Sequence, residues 1–446
     1  MQIPRLKFGR IELGDYFKMG VTTYRGKLLV QASFWMGGIA TGVAAYFFAV
    51  WVGWLQDDYT RIFGLHPYLM SLFTPIAFLG AVAFPRFFAP YAGGSGVPQA
   101  LYATMQAKEH YDEVKNSGLI SVWTSVIKVV SASLGFVGGA SIGAEGPTVQ
   151  ISASLFGAAG SAIKKRFPSI DFQAYLVAAA GAGIAAAFNT PLGGLTFALE
   201  EFTSGAFEHL RSNILLAVII AGITVEAWVG DSLYFGTPHI GAYNNTFIIW
   251  GILIGIIGGI CGGIFGRLAT WRIFEKTKVN WWLRALICGV IVSLVDYFFS
   301  GNTAGSGYEV TKAILATNAT GLPLSFPLAK LFATGVSTLS GMGGGILSPS
   351  LSIGAWIGVS AGKLATLSNL KVCALLGMVA FFTGAFQVPF TAIIIVMEMT
   401  GEHAVIFPMM ISALVAFSVA RMIMPRSPYH VIIENTFAPS NHAKAS

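Results

Sequence analysis

The sequence predicts an all-α membrane protein that crosses the bilayer several times and is built as an internal repeat. The first observation is composition: of 446 residues, 54% are hydrophobic and only 11% are charged, whereas about a quarter of the residues of an ordinary soluble domain are charged. The second is a series of long apolar runs broken by glycine and proline. The third is a set of positions that recurs with constant spacing in the second half. Polar linkers, which would divide a soluble chain of this length into domains, are not visible.

The charges follow the pattern of membrane loops. Lys and Arg number 27 against 20 Asp and Glu, but the basic residues cluster in short connecting segments, which gives no reason to expect nucleic acid as a partner. Residues 1–27 form a basic amphipathic lead segment that lacks the apolar core and cleavage site of a signal peptide. Because this basic excess precedes the first long apolar run, the positive-inside tendency places the N-terminus in the cytoplasm.

One apolar stretch, from Val129 to Ile163, contains a single ionisable residue, Glu145. A carboxylate at membrane depth is costly and usually faces a water-filled path for ions or protons. Gly143, Gly146 and Pro147 predict a break in the backbone beside it. Each arm of the stretch is then expected to be shorter than the roughly 20 residues that span a bilayer. A soluble core helix with a paired, buried glutamate is the alternative, and the composition argues against it.

Two half-helices that meet at membrane depth are tolerated only where the break is buried or lines a cavity. Pro147 suits the first turn of the second half-helix, since its missing N–H would have no partner there. The start of that half-helix would present free N–H groups and the positive end of the helix dipole. The sequence therefore predicts an anion site next to Glu145.

A second glycine-rich break lies at residues 93–98. Ser95 carries a hydroxyl there, and Gly94 and Gly96 would let backbone N–H groups approach a ligand, although a flexible loop has the same composition. Lys128 is a cation inside an apolar run. It is expected to tune the local field or to pair with a polar neighbour.

The second half of the sequence repeats the first. The positions that recur at an offset of 198 residues are Phe188, Pro191 and Glu200 in the first copy and Phe386, Pro389 and Glu398 in the second. The pattern Gly-x-x-x-Pro at 143–147 returns at 345–349. Internal repeats with broken helices are typical of secondary transporters, which bind their substrate at the interface of the repeats. The first copy carries Glu145 where the second has Leu347, so one half supplies a carboxylate and both supply N–H groups.

Three motifs, GSGVP at 94–98, GAEGP at 143–147 and GILSP at 345–349, resemble in order and separation the signature motifs of the CLC chloride channel and transporter family. The resemblance extends from about residue 28 to Tyr429 and implies a homodimer with one anion pathway in each subunit. It also implies two inverted halves of about eighteen helical segments in total, several of them broken half-helices. The implied domains are the lead segment 1–27, a first transmembrane repeat 28–230, a second repeat 231–430, and a short cytoplasmic tail 431–446 without the regulatory domain of many eukaryotic relatives.

The resemblance assigns roles residue by residue. Glu145 matches the gating glutamate, which competes with chloride and carries the proton. Glu201 matches the carboxylate that passes protons from the cytoplasm in exchangers and is commonly absent from channels. The positions assigned to anion binding are Ser95, Tyr429, Ile346, Leu347, Ser348 and Gly146, with Gly94, Gly96 and Lys128 in support. Gln99 stands where relatives often have an acidic residue, so Lys128 is expected to lack that partner. Glu200 is expected to be a solvated carboxylate at a helix end.

These assignments predict a secondary active transporter that exchanges chloride for protons in a bilayer, by resemblance the bacterial inner membrane, with both termini cytoplasmic. The alternative is a passive gated chloride channel with the same anion sites, and the presence of Glu201 favours exchange. No metal or other cofactor is expected. An intramembrane enzyme is disfavoured, because the seven histidines lie mostly in loops without the spacing of metal ligands.

Overall fold

The structure, a computed structural model, describes residues 13–168, 170–202, 212–230, 232–241, 246–270, 279–317 and 321–437. This part of the chain is helical, with two isolated backbone bridges between loops. The helices of its first half are α1 Leu13–Leu65, α2 Pro67–Phe88, α3 Val97–Gln106, α4 Tyr111–Asn116, α5 Val122–Val137, α6 Glu145–Arg166, α7 Phe172–Phe188, α8 Pro191–Phe197 and α9 Ser212–Val229. The helices of its second half are α10 Thr246–Ala269, α11 Trp281–Phe298, α12 Tyr308–Thr317, α13 Phe326–Ser340, α14 Leu347–Leu364, α15 Leu370–Phe386, α16 Pro389–Thr400, α17 Ile406–Ile423 and α18 Pro428–Thr436.

Six segments of the described chain are long and apolar enough to cross a bilayer: Gly26–Leu65, Pro67–Phe88, Ser212–Val229, Thr246–Ala269, Trp281–Phe298 and Ile406–Thr436. About a third to a half of each is buried inside the protein. Their exposed side chains are largely Leu, Ile, Phe and Trp, which is the surface that lipid tails require. The first 12 residues of the lead segment and the tail from residue 438 lie outside the described residues.

Two shorter apolar helices are more deeply buried than these six segments. α7 and α15 have 17 residues each, and almost all of their side chains are buried. Small residues allow them to approach their neighbours closely: a Cβ at Gly183 in α7 would lie 2.9 Å from the Cα of Val149 in α6. A helix surrounded by protein can end at membrane depth, because other protein groups satisfy its terminal N–H and C=O groups.

The predicted break beside Glu145 is present between α5 and α6, and neither helix is among the segments long and apolar enough to cross a bilayer. α5, with 16 residues, is too short to span, whereas α6 has 22 residues. α6 is longer than the apolar arm of the sequence because it begins at Glu145 itself and continues through the basic residues 164–166. Pro147 lies in the first turn of α6, as expected.

The repeat extends to the ends of the helices. Asp171 and Asn369 precede α7 and α15, and each side chain accepts a hydrogen bond of 3.3 Å from the N–H three residues later. Asn189 and Gln387 follow the same two helices, and both adopt the left-handed conformation, with φ of 54° and 62°. Both pairs are separated by the offset of 198 residues. The two helices are therefore equivalent parts of the two halves.

α8 and α16 bind each other through reciprocal capping. Glu398, in the last turn of α16, accepts hydrogen bonds from the first N–H groups of α8, at Leu192 (3.1 Å) and Gly193 (2.7 Å). Glu200, just after α8, accepts them from the first N–H groups of α16, at Phe390 (3.1 Å) and Thr391 (2.6 Å). A carboxylate at a helix N-terminus is favourable. Since each helix is capped by the end of the other, the two run in opposite directions, as an inverted repeat requires.

The structure also reveals a repeat that the sequence analysis missed. Gly305-Ser306-Gly307 precedes α12 as Gly94-Ser95-Gly96 precedes α3. In each copy both glycines have positive φ, a conformation that costs glycine little. In each copy a buried lysine donates to the carbonyls of this loop: Lys128 in the first half and Lys330 in the second.

Candidate functional site

Three glycine-rich loops meet inside the protein: the first at 93–96 before α3, the second at 138–144 before α6, and the third at 341–346 before α14. The first and third loops are joined by hydrogen bonds from the Gly94 N–H to the Met342 carbonyl (2.9 Å) and from the Gly344 N–H to the Gly94 carbonyl (3.2 Å). The second and third are joined by two bonds between Gly143 and Gly345, of 2.8 and 2.7 Å. The three motifs of the sequence therefore form one site, to which both halves contribute.

Glycine is required where these loops touch. A Cβ at Gly146 would lie 2.5 Å from the Ser95 carbonyl oxygen and 2.6 Å from the Ser95 hydroxyl. A Cβ at Gly345 would lie 2.8 Å from the Gly146 nitrogen. Contacts below 3.0 Å are not sterically possible for a real side chain, so the helix starts can converge on Ser95 only with glycine at these positions.

Two buried hydroxyl groups, those of Ser95 and Tyr429, lie close together in the site. Neither has a hydrogen-bond partner at normal distance among the described residues. The Tyr429 ring is held in place by stacking on Phe386, at a centroid distance of 5.6 Å and an interplanar angle of 19°. A buried polar group without a partner costs about 1–3 kcal/mol. Two such hydroxyls side by side indicate the position of a ligand that accepts hydrogen bonds.

A cavity of about 730 Å³ leads away from these hydroxyls. Ser95, Ile346 and Tyr429 are among the residues that line it. Its charged lining residues within the described chain are Glu113 and Arg284. The cavity therefore has space for a small ion beside Ser95 and Tyr429.

Glu145 lies on the other side of the loops, at the first position of α6, and is 3% exposed. Its Oε2 accepts a hydrogen bond of 3.4 Å from the backbone N–H of Ser348, in the first turn of α14. Leu347 begins α14, and Ile346 immediately precedes it. The carboxylate thus occupies the N-terminus of the helix to which the sequence assigned anion binding. A negative group in this position is favourable, and a free anion would bind there for the same reason.

Lys128 supports the first loop. Its Nζ donates to the Gly94 carbonyl at 2.8 Å and approaches the Gly93 carbonyl at 3.4 Å. Gln99 donates its amide to the Gly93 carbonyl (2.6 Å) and accepts from the Gly96 N–H (3.0 Å). No carboxylate in the described part of the chain forms an ion pair with Lys128. The loop is therefore held by two side chains, one of them positively charged.

Glu201 and Glu200 have different environments. Glu201 is 6% exposed, and its Oε1 accepts a hydrogen bond of 2.9 Å from the Ser427 hydroxyl. Glu200 is not the solvated helix-end carboxylate that was expected, because it caps α16. The two neighbours point to different elements because one turn of π-helix, Ala198–Phe202, follows α8 at this point.

The comparisons with known proteins identify the family. A sequence model described as voltage gated chloride channel matches residues 76–421, well over half of the chain. The chain belongs to this family.

Curated relatives of this CLC protein are transporters by name. The H(+)/Cl(-) exchange transporter ClcA of Klebsiella pneumoniae (strain 342) is 27% identical over 471 residues, which cover 99% of this chain and 96% of the relative. The protein of the same name from Yersinia pestis bv. Antiqua (strain Angola) is 28% identical over 437 residues, covering 92% and 88%.

Solved structures share the fold. A slow cyanobacterial Cl-/H+ antiporter superposes with a TM-score of 0.77 at 23% identity, over 93% of this chain and 99% of the other. A CLC-type fluoride/proton antiporter superposes with a TM-score of 0.72 at 25% identity, over 91% and 97%. The predicted all-α CLC-type fold is therefore confirmed.

One residue of this CLC protein that the sequence analysis missed lies next to Glu145. Tyr234, in the loop between the two halves, places its hydroxyl near the Ser348 hydroxyl and the Glu145 carboxylate. Its ring packs edge-on against Tyr308 at 5.0 Å, and the Tyr308 hydroxyl donates to the Tyr234 carbonyl at 2.9 Å. The sequence contains no signal for it, because the residue lies in a polar segment far along the chain from each motif.

The described residues contain no group of three or more His, Cys, Asp or Glu side chains that could hold a metal ion. The three cysteines are free, and two of them, Cys288 and Cys373, are buried. The polar groups at the centre are hydroxyls, backbone N–H groups and carboxylates. These are groups that bind anions and protons.

Proposed function

We propose that this protein is a secondary active transporter that exchanges chloride for protons. The observation that carries the proposal is the position of Glu145: its carboxylate is bound at the start of α14, beside the loops that place the unpartnered Ser95 and Tyr429 hydroxyls. A carboxylate is an anion attached to the chain, so Glu145 and a chloride ion compete for the same N–H groups. The names of the relatives, which are H+/Cl- exchange transporters, support the same activity.

Competition couples the two ions. Chloride enters through the cavity and binds at the Ser95 and Tyr429 hydroxyls and at the N–H groups of Gly146, Ile346 and Leu347. Neutral donors bind the ion strongly enough for it to enter and weakly enough for it to leave. When Glu145 takes up a proton, it loses the charge that holds it at α14, and chloride can replace it. When chloride leaves, Glu145 releases its proton and returns.

Protons need a separate route to Glu145, because the cavity is occupied by chloride. In this proposal Glu201 receives protons from the cytoplasm and passes them towards the gate. Its burial and its position near the Tyr429 hydroxyl support this role. A passive channel would keep the same anion sites but would not require a buried carboxylate at this place.

The proposed exchange is tested with the purified protein in liposomes loaded with high chloride, in an outside solution of low chloride. The potential is clamped with potassium and valinomycin, and the external pH is followed. We expect the external solution to become alkaline as chloride leaves, because the outward flow of chloride drives protons into the liposomes. Chloride efflux with a constant pH would instead assign the passive channel.

We further propose a homodimer in the bacterial inner membrane with both termini cytoplasmic, as the family and the ClcA relatives imply. In the described chain Ser95, Ile346 and Tyr429 line one cavity, so each copy would have its own pathway. Light scattering of the purified protein, corrected for detergent, should give twice the 47.3 kDa of the chain. A mass of one chain would contradict the dimer without affecting the proposed exchange.

A further inference from the structure

Ser427 is at a helix start but does not cap it. It is the residue before α18, the position at which a serine normally accepts a hydrogen bond from an N–H of the first turn. Its side chain forms no such bond. Instead, its hydroxyl donates to Glu201 Oε1 at 2.9 Å, across 226 residues of sequence. The hydroxyl therefore bonds to the buried carboxylate of Glu201 and leaves the first turn of α18 without a side-chain cap.

A hydroxyl suits a group that changes its protonation state. It can donate one hydrogen bond and accept two, so it donates to Glu201 when the carboxylate is charged and accepts from Glu201 when the acid is neutral. A backbone N–H or a lysine ammonium can only donate, so neither could accept a hydrogen bond from the O–H of the neutral acid. The charged or titratable groups near Glu201 are Glu200 and Tyr429, and neither forms a hydrogen bond with it in the described structure.

Ser427 is also closer to the protein surface than Glu201 is. Glu201 is buried, Ser427 is half-buried, and the next residue outwards, Arg426, is exposed. The guanidinium of Arg426 is engaged by Glu434, with N–O distances of 2.7 and 2.8 Å. Arg426 is therefore paired with Glu434, and among the described residues it is the Ser427 hydroxyl that donates to Glu201.

We propose that the Ser427 hydroxyl relays protons between water and Glu201. A proton from a hydronium ion on the water side binds to Ser427 Oγ as the hydrogen already on Oγ moves to Glu201 Oε1. One O–H bond forms and one breaks on Oγ, so the serine is neutral before and after the step. The proposal rests on the proposed exchange, in which Glu201 takes up protons.

The test compares Ser427→Ala with the wild type in the liposome assay. Proton uptake should fall roughly tenfold or more, the scale at which a positioned proton-transfer group contributes, while chloride efflux stays within about twofold. Ser427→Thr and Ser427→Val form a matched pair of the same shape. Threonine should restore proton uptake and valine should not.

The outcomes separate the two proposals. Wild-type protein without proton uptake overturns the exchange and this relay together. Wild-type uptake that Ser427→Ala and Ser427→Val leave unchanged overturns the relay alone, and so does an equal loss of chloride and proton transport in all three variants. If Ser427→Ala does not fold, the threonine and valine variants give the same decision.

Discussion

Replacing Glu145 by glutamine should abolish proton transport and leave chloride transport in place. Glutamine has nearly the shape of glutamate but carries no charge at any pH. It therefore resembles the protonated gate, which has no reason to remain at the start of α14. Chloride should pass without competition, and nothing at position 145 can take up or release a proton. The expected result is rapid chloride efflux from liposomes with no change in external pH.

A matched control is available in the same chain. Glu109 lies in the exposed connection between α3 and α4, so Glu109→Gln makes the same chemical change away from the pathway. It should keep chloride and proton rates within about twofold of the wild type. Proton uptake that persists in Glu145→Gln would show that another group carries the proton. The role assigned to Glu145 would then be wrong.

The position of the site was predictable because a break in a membrane helix is visible in the sequence as glycine and proline within an apolar run. Gly143 and Pro147 interrupt a regular helix, and a single glutamate, Glu145, in that run requires a polar environment. Gly345 and Pro349 repeat the pattern, so two of the three loops could be paired from sequence alone. The structure adds the backbone bonds that join them.

The long-range side-chain contacts were not predictable. Ser427 meets Glu201 because the two halves fold against each other, and Tyr234 meets Ser348 because the fold brings two distant parts of the second half together. Serine and tyrosine are common at helix ends and in loops, so their types carry no signal. The expectation for Glu200 was wrong for the same reason: a glutamate at a helix end looks solvated until the partner helix α16 is placed beside it.

The two buried lysines show how the halves have diverged. Lys330 lies near the buried carboxylate of Asp296, which also accepts hydrogen bonds from the Thr303 N–H and hydroxyl. Lys128 holds the equivalent loop with carbonyl contacts alone. The equivalent loops of the two halves are therefore held by equivalent lysines, but a carboxylate lies near the lysine in the second half only.

The second large effect is expected for Glu201→Gln, which should uncouple the two ions. The glutamine oxygen can still accept the hydrogen bond from Ser427, so the local structure should persist. The amide cannot relay a proton. Because the Ser95 and Tyr429 hydroxyls are unchanged, chloride efflux should stay within about twofold of the wild type, while proton uptake driven by chloride falls to background. The measurement is again external pH against chloride efflux, in the same liposomes.

Glu200→Gln is the matched control for this experiment. It changes the neighbouring residue in the same way, but Glu200 caps α16 and has no assigned part in proton movement. It should lower stability by about 1 kcal/mol through a weaker cap and retain coupled transport. Proton uptake in Glu201→Gln would remove the reason to prefer exchange over a channel on the basis of this residue. Loss of coupling in both variants would place the effect in the geometry of the α8–α16 junction, whereas loss in Glu201→Gln alone identifies a group that carries the proton.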